Sequence, residues 1–418
     1  MSQNSRGYGS LRHVSVSTPA HCLPTPAQRP LTVLPMPSAR QIPHVLFYLG
    51  YDNDRGGICS FLRALSTASS PHFEMALGMN AGARCGHPAL PVVEFPRIAG
   101  EKISPRTLLR ARAVARAVRE WLHAAPDSGA PRIFHGCSRA GLLVALWLAR
   151  WGERRVCATV HSFGRRRWFY RHAARVLGAR LKFLSPAMAA HYGLLPQTWD
   201  ECLPPCVFQN KNTGESPGTH NPRGPSACTI RAAGIGALVR IKQWHLVLDA
   251  LAQLPAGLRE RWQFTHIGTT DGTRDSERCA CELQERTRAL GLAAQVRWLG
   301  QQPSSAPLLA ESDVLIVPAD REAFSLARVE ALAAGVPSIS ADSGGARDFI
   351  TPSHAPLQPP VNGWLFRNND ASALARVLAQ LSAPGALAAI QIDRALLRRF
   401  TPEASAAQHA DFYKKLLT

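Results

Sequence analysis

The sequence predicts an α/β protein built from two Rossmann-like domains with a cleft between them, and three features support this prediction. Short apolar segments of strand length recur in both halves of the chain, each followed by a turn and a segment with helical periodicity. Such units form parallel sheets that are covered by helices. Residues 208–226 are rich in Gly, Pro and Asn and have the composition of an interdomain linker.

The length of 418 residues fits two or three domains, and a hydrophobic content of 46% is enough for packed cores. Residues 1–40 mix Ser, Pro, Arg and Gly without periodicity, so we expect a disordered extension rather than a signal peptide. No apolar run approaches the length of a membrane-spanning helix. Ten cysteines without a Cys-x-x-Cys pair argue against a disulfide scaffold and a zinc site. We therefore expect a cytoplasmic protein.

The formal net charge is +19, from 48 Lys and Arg against 29 Asp and Glu. So large an excess favours a polyanionic neighbour, which could be nucleic acid, an anionic membrane surface or an acidic glycan. Simple solubility would explain the same excess, and the composition leaves both explanations open.

The predicted N-terminal domain, residues 41–207, begins with an apolar strand at 45–49. A turn follows in which Gly56 and Gly57 precede a helix, and glycines at such a turn let the backbone approach a ligand. The later elements are a helix at 107–122, strands at 132–135, 156–160 and 182–186, and a last strand at 203–207.

The densest basic and aromatic segment of the chain is residues 165–180. Its arginines suit lipid phosphates and its aromatic rings suit the membrane interface, so it is a candidate for a helix that lies on a membrane. An ordinary solvated helix face is an equally good interpretation.

The predicted C-terminal domain, residues 227–385, repeats the same series of strands and helices. A helical segment, residues 386–418, completes the chain. The predicted elements are strands at 229–233, 264–268 and 296–299, and helices at 245–254, 276–290 and 400–417.

The stretch at residues 314–349 predicts a strand, a loop, a helix and a second strand that ends in a glycine turn. Glu322 falls in the loop, and Glu330 falls in the helix eight positions later. Between them, Phe324, Ser325 and Leu326 occupy the start of the helix, where free backbone N–H groups bind anions. Two acids around an anion-binding helix start suit a molecule that has hydroxyls at both ends and phosphate between.

This stretch resembles the paired-glutamate signature of retaining, family-4 type glycosyltransferases with the GT-B fold. The resemblance extends through residues 312–314, 330–337 and 344–345. It implies that Glu322 contacts the donor sugar and that Glu330 holds the ribose of the nucleotide. The amides of Phe324, Ser325 and Leu326 would then bind sugar and diphosphate.

The resemblance implies roles for other residues as well. Lys242 would neutralise the diphosphate leaving group, so that no metal is required. Where the family has a second cation, an Arg, this chain has Ala237, and Arg240 would supply the missing positive charge. His161 would reach towards the donor sugar. The resemblance further implies that Gly56 and Gly57 lie in the loop that approaches donor phosphate and acceptor, and that the base lies near Gly268 and residues 297–300.

The function implied is transfer of a hexose from a nucleotide-diphosphate sugar to a cell-surface glycan or a lipid-linked acceptor. It needs no cofactor, and no nucleic-acid partner is expected. We also expect attachment to the inner face of the plasma membrane. A sugar-nucleotide epimerase or hydrolase on the same fold, or a non-enzymatic polyanion-binding protein, are the alternatives. A phosphorylase would require more chain and a pyridoxal-phosphate lysine site.

Overall fold

The computed structural model describes residues 42–54, 56–85, 90–98, 104–124, 129–164, 166–194, 197–208, 229–351, 360–387 and 390–418. The predicted extension at 1–40, most of the predicted linker at 208–226, and Arg165 lie outside the described residues.

The first half of the chain forms a parallel sheet of six strands, whose short apolar segments are buried. Its strands are β1 (His44–Tyr48), β2 (Glu74–Asn80), β3 (Val92–Phe95), β4 (Arg132–Gly136), β5 (Val156–Val160) and β6 (Leu181–Phe183). Its helices are α1 (Gly57–Ser69), α2 (Pro105–His123), α3 (Arg139–Arg150), α4 (Arg167–Leu177) and α5 (Pro186–His191). The strand order is β3-β2-β1-β4-β5-β6, so the order reverses between β1 and β4.

The second half forms another parallel sheet of six strands. Its strands are β7 (Ile230–Ile235), β8 (Trp262–Ile267), β9 (Val296–Trp298), β10 (Val314–Val317), β11 (Ser338–Ala341) and β12 (Gly363–Phe366). The helices are α6 (His245–Gln253), α7 (Ala256–Arg259), α8 (Arg274–Ala289), α9 (Ala306–Ala310), α10 (Leu326–Ala333), α11 (Ala371–Leu381), α12 (Arg394–Leu397) and α13 (Pro402–Leu417). The order is β12-β11-β10-β7-β8-β9, with its reversal between β7 and β10.

The C-terminal helix α13 packs against α1 of the first sheet's domain. Tyr413 is fully buried there, and its hydroxyl lies 2.7 Å from Nδ1 of His135 on β4. The end of the chain thus completes the core of the N-terminal domain.

The two domains share an aromatic cluster. The ring centroid of Trp199 lies 5.6 Å from that of Phe349 and 5.3 Å from that of Phe400. Phe324, which precedes α10, packs edge-on against both phenylalanine rings. The loop that precedes α10 is therefore anchored at the domain boundary.

Two expectations from the sequence are wrong in detail. Residues 203–207 do not form a strand. They are buried, and the amide of Leu203 donates to the carbonyl of Phe183 on β6, but the amide of Val207 donates to the carbonyl of Phe400. In α4, Phe169 and Tyr170 face the core, because the apolar stripe of a surface helix packs inward. Trp168 remains exposed.

Candidate functional site

The candidate site lies at the carboxyl ends of the strands where the strand order of the C-terminal sheet reverses. In open α/β sheets this is the place where ligands bind. The loop after β7 carries Lys242, and the loop after β10 carries Glu322. The amide of Asp320 donates to the carbonyl of Ile241 at 2.9 Å, which ties the two loops together. As a result, the Lys242 ammonium group donates a hydrogen bond to the Glu322 carboxylate.

The backbone around Glu322 is held in an uncommon shape. Arg321 and Ser325, on either side of it, have φ angles of 59° and 67°, in the left-handed region. The Glu322 carbonyl accepts the amide of Gly345 at 2.9 Å, and a Cβ on Gly344 would come within 2.0 Å of this carbonyl oxygen. Strain of this kind persists only where the surroundings hold it, and it is typical of ligand loops. The glycine turn after β11 thus fixes the position of Glu322.

Glu322 is ionised although it is largely enclosed. Burial alone would raise its pKa, but the charge and hydrogen bond of Lys242, followed by the charge of Arg328, hold the pKa below the usual range. Arg328 on α10 is fully buried. It donates to the carbonyl of Phe324 at 3.1 Å and to the Ser340 hydroxyl at 3.3 Å. The buried guanidinium group of Arg328 therefore helps to keep the Glu322 carboxylate ionised.

Glu330 has a different environment on the same helix. Its carboxylate accepts a hydrogen bond of 2.7 Å from the hydroxyl of Ser305. Burial raises the pKa of Glu330, and the Ser305 bond opposes this only in part. No ion pair of Glu330 is found within the described residues, so its charge lacks a protein counterion.

The start of α10 lies between the two acids. Ser325 caps the helix and accepts the amide of Arg328 at 3.3 Å. The amides of Leu326 and Ala327 find no acceptor among the described residues, as expected for a helix N-terminus. Phe324 is buried, so its side chain serves packing rather than binding. Leu326 reaches the N-terminal domain, where a Cβ on Gly57 would lie 3.6 Å from its Cδ1.

The two glycines of the N-terminal loop therefore face the start of α10 across the cleft. Gly56, which precedes α1, has a φ of 98°, and a Cβ there would meet open space. This leaves room in front of the α1 N-terminus.

Gly268 lies in the loop after β8 and has a φ of 131°. A Cβ at this position would come within 2.0 Å of the Gly236 carbonyl oxygen in the loop after β7. The close contact of these two loops requires glycine, because any side chain would collide with backbone.

His161 follows β5 at the carboxyl edge of the N-terminal sheet. Its Nε2 is buried without a hydrogen-bond partner in the described part of the chain. Burial, followed by the charge of His409, lowers the pKa of His161 to about 3. The imidazole is therefore neutral near pH 7, and Nε2 has capacity for a hydrogen bond to a ligand.

The side chain of Arg240 does not lie beside Glu322. Its guanidinium group binds both carboxylate oxygens of Glu282 at 3.0 Å and the carboxylate of Asp275 at 3.2 Å, all on α8. The carbonyl of Ala237 accepts the indole N–H of Trp244 at 3.0 Å, so this loop is held by packing. Arg240 would have to leave α8 to act beside Lys242.

Sequence reasoning missed three supporting residues. Arg328 supports Glu322, and Ser305 binds Glu330. Asp348 accepts the amide of Ala187, at 3.1 and 3.2 Å from its two oxygens, and so connects the domains. An arginine among the apolar positions of α10 was the available signal for Arg328. Nothing local marked the other two.

Within the described ranges, no group of three or more His, Cys, Asp or Glu side chains is placed to hold a metal ion. None of the helices in these ranges is both long and apolar enough to cross a bilayer.

Residues 231–395 match the model of the family described as Glycosyl transferases group 1. Among curated proteins, D-inositol 3-phosphate glycosyltransferase of Geodermatophilus obscurus is 30% identical over 202 residues, which are 46% of this chain and 42% of that protein. The lipopolysaccharide core biosynthesis glycosyltransferase LpsE of Rhizobium meliloti is 26% identical over 186 residues, 44% of this chain and 48% of that protein. The matched part thus spans less than half the length of these relatives.

Solved structures match over most of the chain. HepE of Anabaena, crystallised in complex with UDP, is 17% identical, covers 90% of this chain and 100% of its own, and gives a TM-score of 0.63. Sucrose-phosphate synthase of Thermosynechococcus elongatus is 19% identical over 90% of this chain and 99% of its own, with a TM-score of 0.66. At these identities the likeness establishes the fold, which is GT-B.

Proposed function

We propose that this chain is a retaining, metal-independent glycosyltransferase, because residues 231–395 match the model of the Glycosyl transferases group 1 family. Its reaction would move a hexose from a nucleotide-diphosphate sugar to a glycan or a lipid-linked acceptor of the cell surface. The observation that carries this proposal is the contact of Lys242 with Glu322 at the point where the strand order reverses.

In the proposed complex the diphosphate lies between Lys242 and the N-terminus of α10. As the bond between the anomeric carbon and the diphosphate oxygen breaks, negative charge grows on the leaving group. Lys242 and the amides of Leu326 and Ala327 would stabilise this charge without moving far. Arg240 would join them if the diphosphate displaces Glu282 and Asp275.

Glu322 would accept hydrogen bonds from the hydroxyls of the donor sugar, which replace its contact with Lys242. His161 would donate or accept one further bond from the opposite domain. The acceptor hydroxyl would bond to the anomeric carbon on the face that the diphosphate leaves, and its proton would pass to a phosphate oxygen. No protein nucleophile is needed on this route.

Glu330 would bind the ribose hydroxyls, with the nucleobase near Gly268. Hydroxyl donors would supply the partners that the carboxylate lacks. UDP is the first nucleotide to test, because HepE of Anabaena was crystallised with UDP and with UDP-glucose.

The acceptor proposal draws on the surface of the N-terminal domain. Helices α2, α3 and α4 pack side by side, and each starts at the carboxyl edge of the sheet, where the cleft opens. We call their outer side the basic face. Leu109 is 68% exposed and Trp168 is 62% exposed on it. The same helices, with the residue that precedes α4, carry exposed arginines, namely Arg106, Arg110, Arg112, Arg166, Arg167 and Arg171. Exposed apolar side chains together with arginines suit an anionic membrane that holds a lipid-linked acceptor.

The experiment incubates the protein with a panel of UDP and GDP sugars, with and without extracted membrane lipids and oligosaccharides. Release of the nucleoside diphosphate and formation of a glycosylated product are followed together. Product with the donor's anomeric configuration would support the proposal, and an inverted product would contradict the retaining mechanism.

The same assay separates the alternatives. A sugar-nucleotide epimerase or hydrolase would consume donor equally well without an acceptor. A polyanion-binding protein, motivated by the charge of +19 and by Ala237, would turn over no donor. It would bind nucleic acid with a steep dependence on salt.

A further inference from the structure

The guanidinium group of Arg328 is buried beside the loop that leads into α10, and its neighbours are well defined. Side chains of a helix lean towards its N-terminus, so Arg328 reaches back to the residue four positions earlier. Its Nη1 donates to the carbonyl oxygen of Phe324 at 3.1 Å, and its Nε donates to the hydroxyl of Ser340 at 3.3 Å. Its Cζ lies 5.3 Å from the ring centroid of Phe349.

Two of these neighbours belong to rigid parts of the molecule. Ser340 is fully buried on β11, a strand that lies between β10 and β12 in the C-terminal sheet. Phe349 is buried in the aromatic cluster at the domain boundary, with its ring centroid 5.5 Å from that of Phe400. The guanidinium group of Arg328 therefore ties the Phe324 carbonyl, which belongs to the loop, to a strand and a ring that are fixed by packing.

The bond to the Phe324 carbonyl also holds a strained backbone angle. Ser325 has a φ of 67°, which costs free energy for a residue that has a Cβ. This angle sets the orientation of the peptide group that joins Phe324 to Ser325. A rotation of Ser325 to an ordinary negative φ would turn the carbonyl oxygen away from Arg328. The hydrogen bond from Arg328 therefore stabilises the strained conformation.

The same peptide group presents its N–H in the opposite direction. The C=O and N–H bonds of a trans peptide group point to opposite sides, so the Ser325 amide faces away from the buried guanidinium group. This amide finds no acceptor among the described residues. It therefore extends the row of amide donors that Leu326 and Ala327 form at the start of α10.

The charge of Arg328 persists although the side chain is buried. Burial lowers the pKa of Arg328 to about 10, and the charges of Glu322 and Asp348 oppose this effect. The guanidinium group is therefore protonated at neutral pH. A charged donor makes a stronger hydrogen bond to a carbonyl than a neutral donor does, which suits a bond that has to hold a strained peptide group.

We propose that Arg328 is a positioning residue for the donor, which holds the Phe324 carbonyl so that the Ser325 N–H is turned into the cleft and donates to the diphosphate. Arg328 acts only through the backbone and does not touch the donor. In assigning this N–H to the diphosphate, the inference rests on the proposed function. The fixed fork of a guanidinium group suits the role, because one nitrogen binds β11 while another holds the loop.

The binding test compares Arg328→Met, Arg328→Lys and the double variant that adds Ser325→Gly to Arg328→Met. We expect Arg328→Met to weaken UDP binding about tenfold, as for the loss of one hydrogen bond to a charged group. Arg328→Lys keeps the charge but not the fork, and should weaken UDP binding at least threefold. Glycine adopts a positive φ without strain, so the double variant should regain at least threefold. Isothermal titration calorimetry measures all of these.

Hydrogen exchange in the protein without nucleotide tests the loop itself. The amide of Asp320 donates to the Ile241 carbonyl, and that of Gly345 donates to the Glu322 carbonyl, so both report on the position of the loop. Peptides that contain these amides should exchange faster in Arg328→Met and Arg328→Lys than in the wild type, and more slowly again in the double variant.

Arg261→Met is the matched control, because Arg261 also donates to a backbone carbonyl of this domain, that of Ser382. It should alter neither UDP affinity nor exchange in these peptides. Wild-type exchange in both Arg328 variants would overturn the inference, and so would a loss of UDP affinity that Ser325→Gly does not restore. A wild-type protein that binds no UDP and turns over no donor would instead count against the proposed function, while exchange would still decide the role of Arg328 in the loop.

Discussion

At the level of single residues, Glu330 combines a stability cost with a proposed binding role. Burial raises its pKa, so the folded protein retains this proton to a higher pH than the unfolded chain does. Stability from this group is present at low pH and is lost as the pH rises through the folded-state pKa. At neutral pH the ionised carboxylate therefore destabilises the empty protein.

We predict that Glu330→Gln raises the melting temperature near neutral pH, with a difference that vanishes below about pH 4, where glutamate is protonated in both states. The same variant should bind UDP at least about tenfold more weakly, because a hydrogen bond to a charged group contributes roughly 1.5–3 kcal/mol. Differential scanning fluorimetry across pH and calorimetry with UDP measure the two effects. Glu322→Gln is the control, and it should reduce transfer while leaving UDP affinity nearly unchanged. Unaltered UDP affinity in Glu330→Gln would remove the ribose assignment.

The second residue-scale prediction concerns the cations of the loop after β7. Two opposite charges about 4 Å apart attract by roughly 4 kcal/mol at an effective dielectric constant of ~20, and partial exposure of Lys242 reduces this. We expect Lys242→Ala to lower the transfer rate about a hundredfold or more. Arg240→Ala should lower it about tenfold if Arg240 turns to the diphosphate. Single-turnover assays with saturating donor measure both.

Arg286→Ala is the matched control for Arg240→Ala, because Arg286 on α8 also pairs with a carboxylate of a neighbouring element, that of Asp249 on α6. Equal transfer rates for these two variants would show that Arg240 only anchors its loop to α8 and does not act on the diphosphate. In that case Ala237→Arg should not rescue Arg240→Ala.

At the level of elements, α2 and α4 decide whether the basic face binds membranes. We predict that replacing Arg106, Arg110 and Arg166 by Ser weakens binding to anionic vesicles on the order of a hundredfold. Each basic residue near an anionic surface contributes about 1 kcal/mol. The control replaces three exposed arginines of α8, namely Arg274, Arg278 and Arg288, and so removes the same charge. Vesicle sedimentation that is equally reduced in both triple variants would show that net charge, and not this face, governs binding.

Helix α10 contributes side chains to the shared core and also forms part of the candidate site. Its Val329 and Leu332 enter the shared core, while Ser325 caps its start. Arg328 occupies a core position with its hydrogen bonds satisfied at Phe324 and Ser340. A cation can remain buried here because carbonyl, hydroxyl and nearby carboxylates replace its hydration.

At the level of the whole molecule, the connection between Asp348 and Ala187 bears on cleft closure. We predict that Asp348→Ala enlarges the radius of gyration of the UDP-free protein and raises the KM for donor. It removes hydrogen bonds at the start of α5, a kind of contact that contributes about 1 kcal/mol. Small-angle X-ray scattering with and without UDP measures the opening. Asp342→Ala, which breaks an ion pair with Arg347 within one domain, should leave the radius unchanged. Indistinguishable scattering from the two variants would contradict a role in closure.

Much of the secondary structure of this protein follows from local sequence. β5 was predicted with its observed bounds and α6 to within a residue, because buried apolar strands and amphipathic helices leave clear patterns in the sequence. The GT-B fold was predicted as well. Residues 203–207 have the composition of a strand, but whether an apolar segment joins a sheet depends on which neighbour it meets.

The candidate site divides in the same way. Glu322, Glu330 and the start of α10 are close in sequence, so the pattern alone indicated their cooperation. Lys242 is 80 residues from Glu322 and Tyr413 is 278 residues from His135, and only the packed sheets bring these pairs together. The sequence by itself determined which elements form and which residue types their loops carry, because these depend on neighbours along the chain. The tertiary structure alone decided that Arg328 is buried close to Glu322 and that α8 holds Arg240. Each of these depends on free energies of burial and charge pairing between segments that are distant in sequence.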